Sequence, residues 1–343
     1  MKKRLLIVDD SPFIRRVLTD WVQGESDIEL VGVGCNGEEA VKLAAELKPD
    51  IMTLDVEMPV RDGLWALEQI MSKNPLPVLM VSSVTTEGAA QTIKALELGA
   101  VDFVTKPQGG ASFKFISAKE DFLAKLRAVV NLKVGSKPSV RPICKAPTSV
   151  TDKVVLIASS TGGPRAVMSL FQALPKGFPA PIVLVQHMPQ GFTASFAKRL
   201  DQLSNIPTRE AVAGDELKPG QALVAQGGIH MTIGNNGKIA MADGPSIHGV
   251  KPAADHLFNS GAQYFKSRCL GVVLTGMGKD GAAGAAEIRK NGGVVLGEAE
   301  SSCVVYGMPK AAKEAGGIDA EFPLEEMAQA IVANLSARLK HAS

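Results

Sequence analysis

Residues 154–164 read VVLIASSTGGP, and the architecture of the second half of the chain follows from this stretch. Its apolar run predicts a buried strand that ends near Ser160, because short apolar runs bounded by turn residues are typical of parallel sheets. The glycine pair permits a sharp turn, and Pro164 suits the first turn of a helix. Strand, turn and helix together form the repeating unit of a parallel α/β fold.

Two later apolar runs end in the same way. Residues 181–187 read PIVLVQH, and residues 271–280 read GVVLTGMGKD. Because the carboxyl ends of parallel strands share one edge of a sheet, we expect Ser160, His187 and Asp280 to meet there. A hydroxyl, an imidazole and a carboxylate are the groups that nucleophilic acyl transfer requires.

The rest of the second half predicts a mainly parallel sheet with a β-hairpin addition. Its predicted strands are 154–158, 181–186, 222–225, 270–274 and 293–296. The segment 222–242 differs from the others, since Asn235-Asn236-Gly237 lies between two short apolar runs and is a strong hairpin signal.

The first half alternates apolar runs with helical periodicity. The predicted strands are Leu5–Val8, Ile28–Val33, Ile51–Leu54, Val78–Val81 and Phe103–Thr105, and the predicted helices are Ser11–Gln23, Gly37–Leu47, Gly63–Lys73, Gly88–Leu98 and Phe115–Leu132. Five repeats of strand and helix predict a doubly wound parallel sheet with helices on both faces.

A proline-bearing stretch separates the two halves. Residues 133–153 carry Pro138, Pro142 and Pro147 among serine, lysine and threonine, which is typical of a semi-extended linker. A surface loop within a single domain is the alternative. With 343 residues the chain is long for one core, so we predict a first domain over 1–125, a linker over 126–152 and a second domain over 153–343.

Composition excludes several classes of function. The net charge of +2, with no basic stripe, argues against nucleic-acid binding. The four cysteines have neither zinc-ligand nor redox spacing. The first apolar run is too short for a signal peptide, and no stretch approaches the ~20 apolar residues of a membrane span. We therefore expect a cytoplasmic protein without membrane insertion.

Acidic residues gather at the carboxyl edge of the first predicted sheet. Asp9 and Asp10 follow its first strand and Asp55 ends its third, while Lys106 follows the fifth. Two carboxylates ~4 Å apart repel by on the order of 4 kcal/mol at an effective dielectric of about 20, and Mg²⁺ would relieve this repulsion. Asp55, on the central strand, is the best-placed nucleophile toward a phosphoryl donor. The alternative is that these aspartates only cap helices.

The motifs LIVDDS (6–11), DVEMP (55–59) and TKP (105–107) resemble those of the receiver domain of two-component response regulators, over residues 1 to about 125. The resemblance implies a flavodoxin-like fold and phosphorylation of Asp55 by a histidine kinase. It implies Mg²⁺ bound by Asp10, Asp55 and the backbone carbonyl of Glu57, with Asp9 assisting. It also implies a switch formed by the Ser82 hydroxyl and the aromatic Phe103, with Lys106 at the phosphoryl group.

The serine turn by itself has several interpretations. A serine before a helix N-terminus could be a nucleophile, a helix cap or part of a phosphate cradle for a nucleotide. Neither the G-x-G-x-x-G nor the Walker pattern is present, and the esterase pattern G-x-S-x-G is absent as well. Ser159 is the rival nucleophile, but Ser160 lies directly before Thr-Gly-Gly.

His187 favours the nucleophile, because it places a general base on the predicted strand after the serine. Its competitors His230, His248 and His256 look like loop or helix-surface residues. Asp280 is either a turn aspartate or the group that orients the imidazole. The glycines around Met277 would free its backbone N–H to face an oxyanion.

The motifs SSTGG (159–163), QHMP (186–189), LTGMGKDG (274–281) and SCVVYGMP (302–309) resemble those of the chemotaxis protein-glutamate methylesterases, the CheB family. The resemblance spans nearly the whole chain and implies a Rossmann-like catalytic domain. It implies Ser160 as nucleophile, His187 as base, Asp280 as its orienting carboxylate and the Met277 backbone in the oxyanion hole, with no cofactor in this domain. The family more often has Gly or Ala at position 159.

The family implies hydrolysis of glutamate 5-methyl esters and deamidation of glutamines on the cytoplasmic domains of chemoreceptors. The partners would be those receptors and the histidine kinase of the chemotaxis pathway, with the enzyme a monomer activated by phosphorylation. Two other classes remain open: a receiver with a DNA-binding output, and a receiver-gated nucleotide binder that uses the Ser-Thr-Gly-Gly loop.

Overall fold

A computed structural model describes residues 2–107, 112–132 and 150–336. The chain divides into two compact units, Met1–Lys137 and Pro138–Ser343. Most of the predicted linker lies outside the described residues. In the described ranges no helix is long and apolar enough to cross a bilayer.

The first unit is the predicted doubly wound sheet. Its strands are β1 (Lys3–Val8), β2 (Ile28–Gly34), β3 (Ile51–Asp55), β4 (Val78–Ser82) and β5 (Asp102–Thr105), and its helices are α1 (Pro12–Val22), α2 (Gly37–Leu47), α3 (Gly63–Lys73), α4 (Thr86–Leu98) and α5 (Ser112–Val129). The strand order is β2-β1-β3-β4-β5, and all neighbours are parallel. Because β3 is central, Asp55 stands at the middle of the carboxyl edge.

Helix α5 continues past the predicted end of the first domain. It reaches Val129, as the predicted helix Phe115–Leu132 requires, so residues 126–129 are helical although the predicted linker 126–152 includes them. The physical reason is burial, since Leu126 and Val129 both lie in the core of the first unit.

The second unit contains a seven-stranded sheet and the predicted hairpin. Its strands are β6 (Val154–Ser159), β7 (Ile182–Gln186), β8 (Thr208–Glu210), β9 (Ala222–Val224), β10 (His230–Ile233), β11 (Ile239–Ala242), β12 (Cys269–Val273), β13 (Val294–Glu298) and β14 (Ala320–Phe322). Its helices are α6 (Gly163–Ala173), α7 (Phe192–Leu203), α8 (Ala254–Phe265), α9 (Ala282–Lys290), α10 (Met308–Glu314) and α11 (Leu324–Ser336), with a 3-10 turn over Lys266–Arg268.

The large sheet has the order β14-β13-β12-β6-β7-β9-β8 and is parallel throughout. Strands β12, β6 and β7 are therefore adjacent, and their carboxyl ends carry the segments that contain Asp280, Ser160 and His187. The antiparallel hairpin β10–β11 forms a separate two-stranded sheet. It contributes Met231 and Ile239 to the hydrophobic core of this unit.

Candidate functional site

Ser160 and His187 follow paired residues on two neighbouring strands. In the β6–β7 pair Ser159 lies opposite Gln186, so Ser160 and His187 occupy the next register positions. The His187 N–H donates to the Ser159 carbonyl at 3.0 Å. The register therefore brings the hydroxyl-bearing and imidazole-bearing residues side by side at the sheet edge.

The two candidate serines have different surroundings. The Ser159 side chain is fully buried, and its hydroxyl donates to Gln186 Oε1 at 2.6 Å. Gln186 Nε2 in turn donates to the Ser160 carbonyl at 3.0 Å. Ser160 itself is half-buried. Because the Ser159 hydroxyl is committed inside the protein, the geometry favours Ser160 as the nucleophile.

His187 and Asp280 form a buried pair. His187 Nε2 lies 2.7 Å from Asp280 Oδ2, and the Ala254 N–H donates to the same oxygen at 2.6 Å. Burial works to raise the pKa of Asp280, but the hydrogen bonds from His187 and from backbone N–H groups outweigh it and leave the pKa lowered. Asp280 is therefore an ionised carboxylate at neutral pH.

The second ring nitrogen of His187 is unsatisfied. Nδ1 is buried and makes no hydrogen bond to any residue that the structure describes. With Nε2 donating to Asp280, Nδ1 carries the lone pair, so it is the nitrogen available to accept a proton. This use of the two nitrogens is the reverse of the template in which the aspartate holds Nδ1–H.

The turn after Ser160 requires both of its glycines. Gly162 has φ of +75°, and a Cβ on it would lie 2.4 Å from Val304 Cβ. A Cβ on Gly163 would lie 2.2 Å from Gln186 Oε1. The close turn directs the chain into α6, whose N-terminal partial positive charge lies next to Ser160.

The Met277 loop packs against the serine turn. The Gly276 N–H donates to the Val305 carbonyl at 3.0 Å, and the Gly276 carbonyl accepts the Met308 N–H at 2.8 Å. A Cβ on Gly276 would lie 2.8 Å from Ser160 Cβ. Met277 follows directly and is half-buried, so its backbone stands close to the candidate nucleophile.

The competing histidines have other partners. His230 is fully buried, with Nδ1 accepting the Ala253 N–H at 3.1 Å and Nε2 lying 3.0 Å from the Pro245 carbonyl. Its ring lies 4.3 Å from that of His256. His248 Nε2 lies 3.6 Å from Asp255 Oδ2. His230 is thus a core residue of the hairpin, which the sequence placed only on a loop.

Three polar residues at this edge were not predicted from the sequence to be functional. They are Gln186, Thr275 and Glu298, all fully buried. The signal was present for Glu298, because it closes an apolar strand as Asp55 does. Gln186 closes β7 in the same way, whereas Thr275 gave no comparable signal, since its contacts depend on register and on backbone atoms.

The first unit brings together the predicted acidic residues. Carboxylate oxygens of Asp9, Asp10 and Asp55 lie within 4.8 Å of one another. Lys106 Nζ lies 2.8 Å from Asp55 Oδ2 and 3.3 Å from Asp9 Oδ2. Burial and the charge of Asp9 raise the pKa of Asp55 to about 7. Three hard oxygen donors with this mutual repulsion fit a divalent cation such as Mg²⁺.

These aspartates are not the N-caps of the helices that follow them. Helix α1 is capped by Ser11, whose hydroxyl accepts the Ile14 N–H, and α3 is capped by Asp62. The capping alternative considered for Asp9, Asp10 and Asp55 is therefore wrong. Glu57 lies in the loop after β3, and its N–H donates to Asp55 Oδ1 at 3.3 Å.

The two predicted switch residues of the first unit are both buried. Thr92 of α4 donates its hydroxyl proton toward Ser82 Oγ at 2.6 Å or to the Gly88 carbonyl at the same distance. Phe103 is buried, and Lys125 Nζ donates to its carbonyl at 2.8 Å. Ser82 is thus in contact with α4, and Phe103 with α5.

Comparisons with known proteins cover both units. The family model described as CheB methylesterase matches residues 155–331, and that of the response regulator receiver domain matches residues 5–114. Proteins named "Protein-glutamate methylesterase/protein-glutamine glutaminase" from Symbiobacterium thermophilum and Thermotoga maritima are 45% and 44% identical, over 96% of this chain and 96% and 97% of theirs. The crystal structure of the Thermotoga maritima CheB methylesterase catalytic domain is 43% identical, with a TM-score of 0.52 over 54% of this chain and all of that chain.

Proposed function

This chain belongs to the CheB methylesterase family, and from that premise we propose how its residues carry out protein-glutamate methylester hydrolysis and protein-glutamine deamidation. The observation that carries the proposal is the buried His187–Asp280 hydrogen bond, which leaves His187 Nδ1 unpartnered at the register position beside Ser160.

Ser160 Oγ attacks the side-chain carbonyl carbon of a glutamate methyl ester, while His187 Nδ1 accepts the hydroxyl proton. Collapse of the tetrahedral intermediate breaks the ester C–O bond, and the imidazolium returns the proton to methoxide, which leaves as methanol. Water, deprotonated by His187, then hydrolyses the acyl-serine to glutamate. With glutamine the first leaving group is ammonia, so one site serves both reactions.

Asp280 and Met277 stabilise the charges that develop. The ionised Asp280 holds Nε2–H and stabilises the imidazolium. The Met277 backbone N–H, together with the N-terminus of α6, supports the oxyanion, and one such donor is typically worth about 10²–10³ in rate.

In the receiver, Asp55 takes the phosphoryl group from the histidine kinase of the chemotaxis pathway, and phosphorylation raises esterase activity. Asp10, Asp55 and the Glu57 carbonyl would hold Mg²⁺, with Asp9 assisting, and the metal would neutralise phosphoryl oxygens. Lys106 already contacts Asp55 and would pair with the phosphoryl group. The substrates are the cytoplasmic domains of chemoreceptors, in which the enzyme hydrolyses methylated glutamates to glutamate.

The test is methanol release from methylated receptor membranes. Ser160→Ala should lower the rate by ~10³ or more, because it removes the attacking atom. Ser159→Ala is the matched control, since it deletes only a buried hydroxyl bonded to Gln186 and should lower the rate far less. A loss confined to Ser159→Ala would move the nucleophile to Ser159, and equal activity of both variants with wild type would overturn the mechanism.

A further inference from the structure

Glu298 is an acidic side chain buried within the sheet edge. It closes β13 next to β12 and is fully inaccessible to solvent. Its Oε2 accepts the Thr275 N–H at 2.8 Å, and its Oε1 lies 2.9 Å from the Ser302 hydroxyl. No ion-pair partner occurs among the residues the structure describes, and burial raises the pKa of Glu298. Burying an acid without a cation costs free energy, which indicates that the contacts of Glu298 with Thr275 and Ser302 serve a purpose.

Thr275 links the Glu298 carboxyl to the serine turn. Its hydroxyl donates to the Thr161 carbonyl at 3.0 Å and accepts the Val305 N–H at 2.9 Å. Its own carbonyl accepts the Ser160 N–H at 3.0 Å. Thr275 therefore holds the backbone on both sides of the Ser160 side chain and ties it to the segment around Val305.

The same residue also sets the position of the Met277 loop. Gly276 and Met277 follow Thr275 directly, and Gly276 is fixed by Val305 and Met308. The distance between Ser160 Oγ and the Met277 N–H thus depends on one short frame: Thr275, its bonds to the serine turn, and the Glu298 carboxyl that anchors its N–H.

We propose that Thr275 and Glu298 are positioning residues of the esterase, which hold the nucleophile and the oxyanion donor in reacting geometry without touching the substrate. The inference rests on the proposed function, since it needs Ser160 as nucleophile and the Met277 N–H as donor. A misplacement of about 1 Å can cost 10²-fold, and oxyanion contacts strengthen only in the transition state. Loosening the frame should therefore lower kcat and leave KM nearly unchanged.

The experiment compares three threonine variants in the full chain by methanol release from methylated receptor membranes and by thermal unfolding. Thr275→Val, which removes the hydroxyl, should lower kcat by about 10- to 100-fold with KM within about 2-fold. Thr275→Ser keeps the hydroxyl and should retain kcat within about 3-fold. Thr208→Val is the matched control, because Thr208 donates a buried hydroxyl to the Ile206 carbonyl at the opposite edge of the sheet.

Thr208→Val should lose stability comparably while its kcat stays at the wild-type value. If Thr275→Val does not fold, Thr275→Ala replaces it, since alanine places no extra methyl group against the Thr161 carbonyl. Glu298→Gln should keep most of kcat, because its amide oxygen can still accept the Thr275 N–H, whereas Glu298→Ala should lose kcat as Thr275→Val does.

A Thr275→Val enzyme with wild-type kcat and only a lowered Tm would overturn the inference, since Thr275 would then be merely structural. The pH at which kcat/KM falls on the acid side should not move, because the variant leaves the His187–Asp280 pair intact; a displaced limb would also count against it. Ser160→Ala separates the two levels. If it is inactive while Thr275→Val is fully active, only this inference fails, and if it is active, the proposed function fails.

Discussion

The chemistry of His187 depends on which of its ring nitrogens faces which partner. The Nε2 contact with Asp280 leaves Nδ1 as the base, and Nδ1 lies closer to the backbone than Nε2 does. The nucleophile must therefore come from a position beside His187 in the sheet. The register of β6 and β7 supplies Ser160 at that position.

Asp280→Asn is expected to lower kcat by about 10³- to 10⁴-fold. Both carboxylate oxygens accept hydrogen bonds, Oδ2 from His187 and Ala254 and Oδ1 from Asp255. Asparagine has only one oxygen, so its NH₂ group must face either the imidazole or a backbone N–H. Methanol release and thermal unfolding measure the two consequences separately.

Asp255→Asn is the matched control for this variant. Asp255 is a neighbouring buried carboxyl that accepts the Gly284 N–H at 2.7 Å and pairs with His248. Its substitution should cost stability but lower kcat by less than about 10-fold. If Asp255→Asn lowered kcat as much as Asp280→Asn, the special role of Asp280 would be refuted.

The conformation of the serine turn between β6 and α6 is set by steric contacts. Gly162→Ala should destabilise the protein by about 2–4 kcal/mol, because it adds a left-handed backbone penalty of about 1–2 kcal/mol to a clash with Val304. Gly177→Ala is the matched control, since Gly177 has φ of +73° with nothing within 4 Å of the added Cβ. Urea unfolding should show only the backbone penalty for Gly177→Ala, and equal losses would contradict the clash.

Some of the helices and strands could be predicted from the sequence and others could not. The predicted parallel strands with long apolar runs and the predicted hairpin at Asn235-Asn236-Gly237 are confirmed. They could be predicted because burial on both faces and turn chemistry are encoded in the local sequence. The edge strands β8 and β14 were missed, since each has only three residues and carries polar side chains. Strands of this kind form through pairing with a neighbour, which a local pattern does not encode.

The candidate site likewise contains residues that could be predicted from the sequence and residues that could not. Side chains that close apolar strands, such as Ser160 and Asp55, could be placed at the sheet edge from periodicity alone. The role of Thr275 could not, because it acts through backbone atoms of segments distant in the chain. Neither could the choice of His187 nitrogen, which depends on the direction from which Asp280 approaches.

The chain carries one candidate centre at the carboxyl edge of each of its two parallel sheets. One is an acidic cluster suited to phosphoryl chemistry and the other a hydroxyl–imidazole–carboxylate set suited to acyl transfer. Neither centre needs the groups of the other for its own chemistry. The two activities should therefore be separable by substitution. A change in the receiver should abolish the stimulation of the esterase and leave its basal rate intact.

Asp55→Asn tests this separation. Methanol release by the wild type should rise on addition of acetyl phosphate and Mg²⁺, whereas Asp55→Asn should show no rise and keep a basal rate within about 2-fold of wild type.

Asp50→Asn is the matched control for Asp55→Asn. Asp50 lies just before β3, and its exposed carboxylate accepts the Arg4 N–H, so its substitution should leave the stimulation intact. Chelation of Mg²⁺ should abolish the stimulation of the wild type and spare its basal rate, since the proposed metal ligands belong to the receiver. Equal stimulation of Asp55→Asn and wild type would show that acetyl phosphate acts at another site, and a basal rate that fell on chelation would place a metal in the acyl-transfer step.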